Sequence, residues 1–398
     1  MSHADPMKLP APDPADIAGL DALLSDDEKE IRSAVRQTLD AIVDPHIAEW
    51  FEAGSIPDVR GLAKELGSLG VLGMHLEGYG CSGMSATAYG LACLEIEASD
   101  SGIRSLVSVQ GSLAMFAIWR WGSEEQKQAW LPGMAAGELI GCFGLTEPDV
   151  GSDPANLRTR ARRDGDDWII DGQKMWISNA PFADVAVIWA QTDEGIRGFI
   201  VPLDSPGITV AEIKHKMSLR ASATGEIALD GVRLPSDAML PDARGLKGPL
   251  SCLNEARYGI VWGSLGAART SIESARRYAI DREQFGKPIA GFQLTQQKLV
   301  DMSLEYSKGY LLAMHLGRRK DAGQLRPEQV SLGKLNNVRE AIEICRTART
   351  ILGANGISLE FPVIRHQNNL ESVLTYEGTV EMHTLILGQA LTGIPAFA

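Results

Sequence analysis

The chain has 398 residues, 44% of them hydrophobic and 22% charged, with a formal net charge of −13. That length allows two or three domains with sizeable cores, and the composition is that of an ordinary globular protein. The acidic balance excludes the basic face of a nucleic-acid binder and works against docking on anionic lipid.

Residues 1–24, opening MSHADPMKLP, are acidic and proline-rich with no basic n-region, so they read as a loose arm and as neither signal nor transit peptide. No stretch approaches the ~18 apolar residues of a membrane span. Five scattered cysteines (Cys81, Cys93, Cys142, Cys252, Cys345) form no CxxC. They read as reduced thiols, and the expected location is cytoplasmic, with no metal site. Ser25 before Asp26, Asp27 and Glu28 is an N-terminal cap with an acidic first turn. Ile31, Val35, Leu39 and Ile42 then follow at helical spacing, and VRGLAKELGSLGVLG and SATAYGLACLEIEASD continue the helical texture. An all-α domain over 1–140 is expected. From Gly141 the texture is β: DDWIIDGQKMWIS reads as a hairpin about Asp171-Gly172, followed by strands in VAVIWAQT, RGFIVPL, ITVAEI and EIALDGVRLP. This predicts a β domain over 141–248. Long helices return over 249–398, the third starting at Pro327 and stopping at Gly353. The fold class is α+β, mainly α.

GYGCSG (Gly78–Gly83), with Asp100 downstream, matches a dinucleotide-binding fingerprint. That fingerprint needs a strand before it and a βαβ unit around it, whereas LAKELGSLGVLGM reads helical, so a loop between helices is expected.

CFGLTEPDVGSD (Cys142–Asp153) is more informative. Gly144, Thr146, Gly151 and Ser152 offer backbone and hydroxyl donors on a loop that can approach a ligand closely. Trp176 beside Ser178 offers a flat aromatic wall next to a hydroxyl. Arg282 and Gln293 flank a loop with Phe285 and Gly286, a cation suited to a pyrophosphate. Near the C-terminus, LTYEGTVEMH sets the carboxylate Glu377 between an aromatic and a glycine. A cap, a solvated charge and a desolvated base are all open to a lone glutamate there.

Taken in order, LTEPDVGSD, WIS, RASATG, DREQFG, LGANGI and YEGT resemble the acyl-CoA dehydrogenases from about residue 25 to the C-terminus. Within that family the similarity is nearest to the glutaryl-CoA dehydrogenases, through DSGIRSLVSVQGSL, KMSLRASATGE and CLNEARYGIVWG. The resemblance implies an N-terminal helical domain, a middle β domain and a C-terminal four-helix bundle. It implies FAD as cofactor, an electron-transferring flavoprotein as acceptor, and a homotetramer in which Arg282 and Gln293 reach FAD across an interface. Glu377 is implied as the catalytic base, which suits a carboxyl whose pKa is raised in a dry site. Arg104 and Ser105 would hold a distal carboxylate, with Glu97 nearby. Ser152, Asn254 and Arg257 would meet the CoA arm, while Tyr376 and Gly378 would border the substrate. Phe143, Leu145, Thr146, Gly151, Ser152, Trp176, Ile177, Ser178, Arg282, Phe285, Gln293, Gly353, Ala354 and Thr379 would contact FAD. Arg220, in SLRASATG, reads as a structural residue bonding nearby backbone. Three positions depart from the pattern: Ile103 for a tyrosine, Gly111 for a serine, and Ala354 for a glycine. The implied activity is oxidation of glutaryl-CoA to glutaconyl-CoA, with decarboxylation to crotonyl-CoA. The alternative is dehydrogenation of another dicarboxylyl-CoA or a short acyl-CoA without decarboxylation.

Overall fold

The structure is a computed structural model and describes residues 13–396. The first half of the expected arm, residues 1–12, lies outside the described residues, as do residues 397–398. The second half is tied down. Leu20 and Leu24 are buried in the first core, and Asp21 accepts two hydrogen bonds from Arg32 at 2.6 and 2.9 Å.

Helix α1 (Asp26–Ile42) starts where the sequence predicts. The Ser25 hydroxyl accepts from Glu28 N–H at 3.2 Å, and the Glu28 carboxylate accepts from Ser25 N–H at 2.9 Å. Next come α2 (Ile47–Ala53), α3 (Val59–Ser68), α4 (Ala86–Ser99), α5 (Ser101–Ser108), a π-helical turn (Val109–Met115), α6 (Phe116–Trp121) and α7 (Glu124–Ala135). GYGCSG is a loop between α3 and α4, as expected. Every residue of α4 is buried, so it is enclosed on all sides and has no solvent face.

The middle of the chain is a mixed sheet of β1 (Gly141–Gly144), β2 (Arg160–Asp164), β3 (Asp167–Ser178), β4 (Val185–Thr192), β5 (Gly195–Pro202), β6 (Ile208–Glu212) and β7 (Thr224–Leu234). Strands run in the order β1-β4-β2-β3-β7-β6, with β5 also on β4. β1 pairs β4 in parallel, Gly141 opposite Val185. The hairpin expected at Asp171-Gly172 is absent. β3 runs through that dipeptide, and its ladder with β7 shifts register between Ile170 and Gly172. Gly172 has φ +151°, and a Cβ there would stand 2.5 Å from Thr159 Oγ1. The glycine thus serves a bulge where two segments touch. The turn lies upstream at Gly165 (φ +64°), between β2 and β3.

Helix α8 (Lys247–Asp281) leads to a small hairpin of β8 (Glu283–Gln284) and β9 (Lys287–Pro288), then to α9 (Gln293–Asp321), α10 (Pro327–Leu352), α11 (Val363–Thr375) and α12 (Val380–Thr392). Ile260, Met302, Val338, Ile342 and Leu370 bring α8, α9, α10 and α11 around one core, the expected four-helix bundle. α8 also packs against α4, and two glycines make that approach close. A Cβ on Gly266 would stand 2.0 Å from Leu94 O, and one on Gly90 would stand 2.4 Å from the Trp262 ring. Among the described residues no helix is long and apolar enough to cross a membrane.

Candidate active site

The loop joining α11 to α12 carries Glu377 in a left-handed conformation, φ +55°, followed by Gly378 at +105°. Such a backbone costs a non-glycine residue roughly 1–3 kcal/mol and persists only where its surroundings hold it. Here three successive carbonyls are held by two cations. Lys334, on α10 and 1% exposed, donates to Tyr376 O and, at 2.7 Å, to Gly378 O. Arg257, on α8, donates from Nε to Glu377 O at 2.6 Å and from Nη1 to Asn254 Oδ1 at 3.1 Å. Across trans peptide planes, the N–H groups of Glu377 and Gly378 point away from the carbonyls that precede them. Neither N–H has a hydrogen-bond partner among the described residues.

Glu377 Oε2 is buried with no hydrogen-bond partner. Burial raises the carboxyl pKa, and the charges of Arg104, Lys334 and Arg257 oppose that rise. The loop also requires Gly378, because a Cβ there would stand 2.9 Å from His383 Nε2. His383 is buried, both ring nitrogens lack partners, and burial pushes its pKa down to about 3.

Arg104 lies beside this loop. Asp100 ends α4 and caps α5 by accepting from Gly102 N–H at 2.6 Å, while Arg365 (2.6 Å) and Asn369 (2.8 Å) donate to its other oxygen. That junction turns Arg104 inward. Its Nε donates to Glu97 Oε2 at 2.6 Å, and its Nη2 donates to the Tyr376 hydroxyl. Ser101 donates to Glu97 Oε1 at 2.8 Å. Nη1 of Arg104 has no hydrogen-bond partner among the described residues. Burial works against the guanidinium charge, but Tyr376, Glu97 and Glu377 outweigh it and raise its pKa. Burial raises the pKa of Glu97, against the pull of Arg104 and Ser101. Ser105 is buried next in sequence. Of the departures, Ile103 packs in the helical core, and Gly111 lies where a Cβ would stand 2.7 Å from Gly73 N. A serine at 111 would need that backbone to move.

The cofactor-contact candidates fall into two groups. Met175 N–H donates to Thr146 O at 2.9 Å, which sets the end of β1 beside the end of β3. There Trp176 has φ +62° and is 55% exposed, with Thr146 and Ser178 half-buried beside it and Gly151 and Ser152 exposed. The loop is anchored by Glu147, which accepts from Lys174 Nζ at 2.8 Å and from Thr159 N–H at 2.9 Å. An exposed indole face, two hydroxyls and a glycine with open space beside it fit a flavin ring. Phe143, Leu145 and Ile177 have their side chains in the core, which leaves only their backbone for a ligand. Gly353 and Ala354 are exposed at the end of α10, and Thr379 caps α12 by accepting from Met382 N–H at 3.3 Å.

Arg282, Gln293 and Phe285 (94% exposed) form the second group, around the β8–β9 hairpin. The structure does not bring them to Glu377. Arg282 follows the last residue of α8, roughly 37 Å along that helix from Arg257 at 1.5 Å per residue. Arg257, expected to meet the CoA arm, is nearly buried and donates to Glu377 O and Asn254 Oδ1. Arg220 donates to the carbonyls of Phe51, Lys216 and Glu52, the structural role expected of it.

Sequence reasoning missed Lys334 and His383, and also Gly263 on α8, whose missing side chain leaves room for Glu97 Oε2. Lys334 follows Gly333 in SLGKLNN, where a lysine reads as solvated. Its one signal is the helical register Val330, Lys334, Asn337, Val338, Ala341, an otherwise buried face.

Models of the acyl-CoA dehydrogenase N-terminal, middle and C-terminal domains match residues 25–138, 142–232 and 243–392. The chain is 70% identical to a glutaryl-CoA dehydrogenase from Mycobacterium smegmatis, with a TM-score of 0.95 over 96% of this chain and 99% of that one. A second glutaryl-CoA dehydrogenase from that organism, in complex with FADH2, is 62% identical, with a TM-score of 0.95 over 97% and 99%. The human mitochondrial short-chain specific acyl-CoA dehydrogenase is 36% identical over 331 residues, covering 81% of this chain and 80% of the human protein. The chain therefore belongs to the acyl-CoA dehydrogenases, FAD-dependent oxidoreductases of acyl-CoA thioesters.

Proposed function

We propose that this acyl-CoA dehydrogenase oxidises glutaryl-CoA to glutaconyl-CoA and decarboxylates it to crotonyl-CoA and CO2. The observation that carries this reading is Arg104, a buried cation beside the base loop with one terminal nitrogen unpartnered. A substrate with a distal carboxylate would supply that partner, while the other nitrogens stay oriented by Glu97 and Tyr376.

Glu377 then removes the proton next to the thioester carbonyl, its desolvated carboxyl being raised toward the working pH. The unpartnered N–H groups of Glu377 and Gly378 are suited to the oxygen on which the enolate charge develops. FAD, when bound, accepts the hydride from the β-carbon. In the second half-reaction the carboxylate on Arg104 leaves as CO2, and Glu377 returns a proton to the dienolate. We extend the proposal to Ser105, Ser152 and Asn254 as further substrate contacts, and to an electron-transferring flavoprotein as acceptor. A homotetramer, in which Arg282, Phe285 and Gln293 serve the FAD of another subunit, a cytoplasmic location and domain limits at 140 and 248 complete it.

Anaerobic addition of glutaryl-CoA to Glu377→Gln tests the base. The flavin should stay oxidised, with the reduction rate down ~10²–10⁴-fold. Near-normal bleaching would sink the assignment and turn attention to Glu97. A second reading, a short acyl-CoA substrate without decarboxylation, is favoured by one feature: Glu97 already neutralises Arg104. Carbon dioxide release from glutaryl-CoA separates the two.

A further inference from the structure

We propose that Lys334 is the positioning residue of the base: from α10 it holds the loop that carries Glu377 and supplies the cation beside which that carboxylate ionises. This role rests on Glu377 being the base and adds a second residue to it.

Lys334 has no carboxylate in ion-pair contact among the described residues, and its two hydrogen bonds go to the carbonyls of Tyr376 and Gly378. A buried ammonium without an anion is unstable unless a counter-charge lies close by. On the same loop sits Glu377, whose Oε2 is buried and equally unpartnered. The surroundings allow few other pairings. Glu97 on α4 is engaged with Arg104 of α5 at 2.6 Å. Arg257 of α8 reaches Glu377 only through the backbone carbonyl. Tyr376 takes its hydrogen bond from Arg104, and His383 of α12 is held neutral by burial. Three cations thus face two carboxylates, and Glu377 is left to balance both Lys334 and Arg257. Burial pushes the pKa of Lys334 down to about 7, and the charge of Glu377 opposes that fall.

Two consequences follow for the proton transfers. Held by the carbonyls on either side of Glu377, the loop keeps its left-handed turn, so the carboxylate is aimed before substrate arrives. Once Glu377 takes the α-proton, the ammonium loses its counter-charge, which makes the new carboxylic acid more acidic and favours return of the proton.

The test compares Lys334→Met, Lys334→Gln and Lys334→Arg as holoenzymes, with Glu377→Gln alongside. One readout is the pH at which the Glu377 carboxyl protonates without substrate, followed by infrared difference titration on the band that Glu377→Gln lacks. The other is the rate of anaerobic flavin reduction by glutaryl-CoA across pH. In Lys334→Met the midpoint and the acid limb of the rate should rise together by about one pH unit or more. The rate above that limb should fall about 10–100-fold from misplacement of the base. Lys334→Gln keeps donors for the carbonyls and loses the charge, so it should show the same rise with a smaller loss of rate. Lys334→Arg keeps the charge and should titrate near the unmodified protein. An unmoved midpoint in Lys334→Met, or in Lys334→Gln if the methionine variant does not fold, overturns the proposal. Normal flavin reduction in Glu377→Gln overturns the base reading instead, and the two failures are told apart in one experiment.

Discussion

Gly263 of α8 makes room for Glu97: a Cβ at this glycine would stand 2.1 Å from Glu97 Oε2 and 2.9 Å from Arg104 Cδ. The ion pair between these residues therefore depends on a missing side chain on a different helix. Gly263→Ala should push the pair apart, destabilising the protein by about 1–3 kcal/mol through overpacking. It should also cost roughly 10–100-fold in kcat/KM for glutaryl-CoA while changing butyryl-CoA turnover less. Thermal melts and the two substrates run in parallel check this, and equal losses for both would make Gly263 a packing residue only.

Arg104→Met should lower kcat/KM for glutaryl-CoA about 100-fold or more, with little change for butyryl-CoA, whose tail makes no charged contact. The single variant also leaves Glu97 buried without its cation, which typically costs about 3–5 kcal/mol. The double variant Arg104→Met/Glu97→Gln should recover stability and not glutaryl-CoA turnover. Recovery of both would return Arg104 to a structural role.

Acid stability should report the buried histidines. The pKa of His383 is depressed to about 3 and that of His75 to about 4, from an ordinary 6.5, and that of His366 is pushed well below it. As pH falls through 6.5 the unfolded chain takes up protons that the folded one refuses. Stability is thus present above 6.5 and lost on the way down toward 3–4, by about 1.4 kcal/mol per pH unit for each histidine. Glu97 and Glu377, with raised values, act in the opposite sense. The clean readout is the gap between the unmodified protein and His383→Gln in urea unfolding. The variant should lose less stability from pH 6.5 to 5, whereas parallel curves would mean that His383 is solvated.

Much of the chain was legible because local chemistry and tertiary demand agree. Ser25 with Glu28 starts α1, Pro327 starts α10, and Gly353 ends it. Asp171-Gly172 was misread because a bulge and a turn both call for a residue without a Cβ, and only the β7 ladder distinguishes them. β1 was not foreseen, since GCFG becomes a strand by pairing with Val185–Ile188, a partner distant in sequence. In the site, YEGT and SGIRS point to Glu377 and Arg104. What holds them comes from α8 and α10. Lys334 and Gly263 look like a surface cation and a small helix residue until the helices are packed.

The complete burial of α4 has a consequence for how the chain is made. Its apolar faces are covered by α1, already synthesised, but also by Tyr258, Val261, Trp262, Leu265, Tyr310 and Met314, which belong to α8 and α9. During translation α4 leaves the ribosome long before those helices exist, and the whole sheet is synthesised in between. Until α9 is complete, α4 is a bare greasy segment on a growing chain, open to chaperones and to other nascent chains. The sheet, with its own core of Ile170, Ala186, Ile188, Phe199 and Ile227, is the part able to settle first.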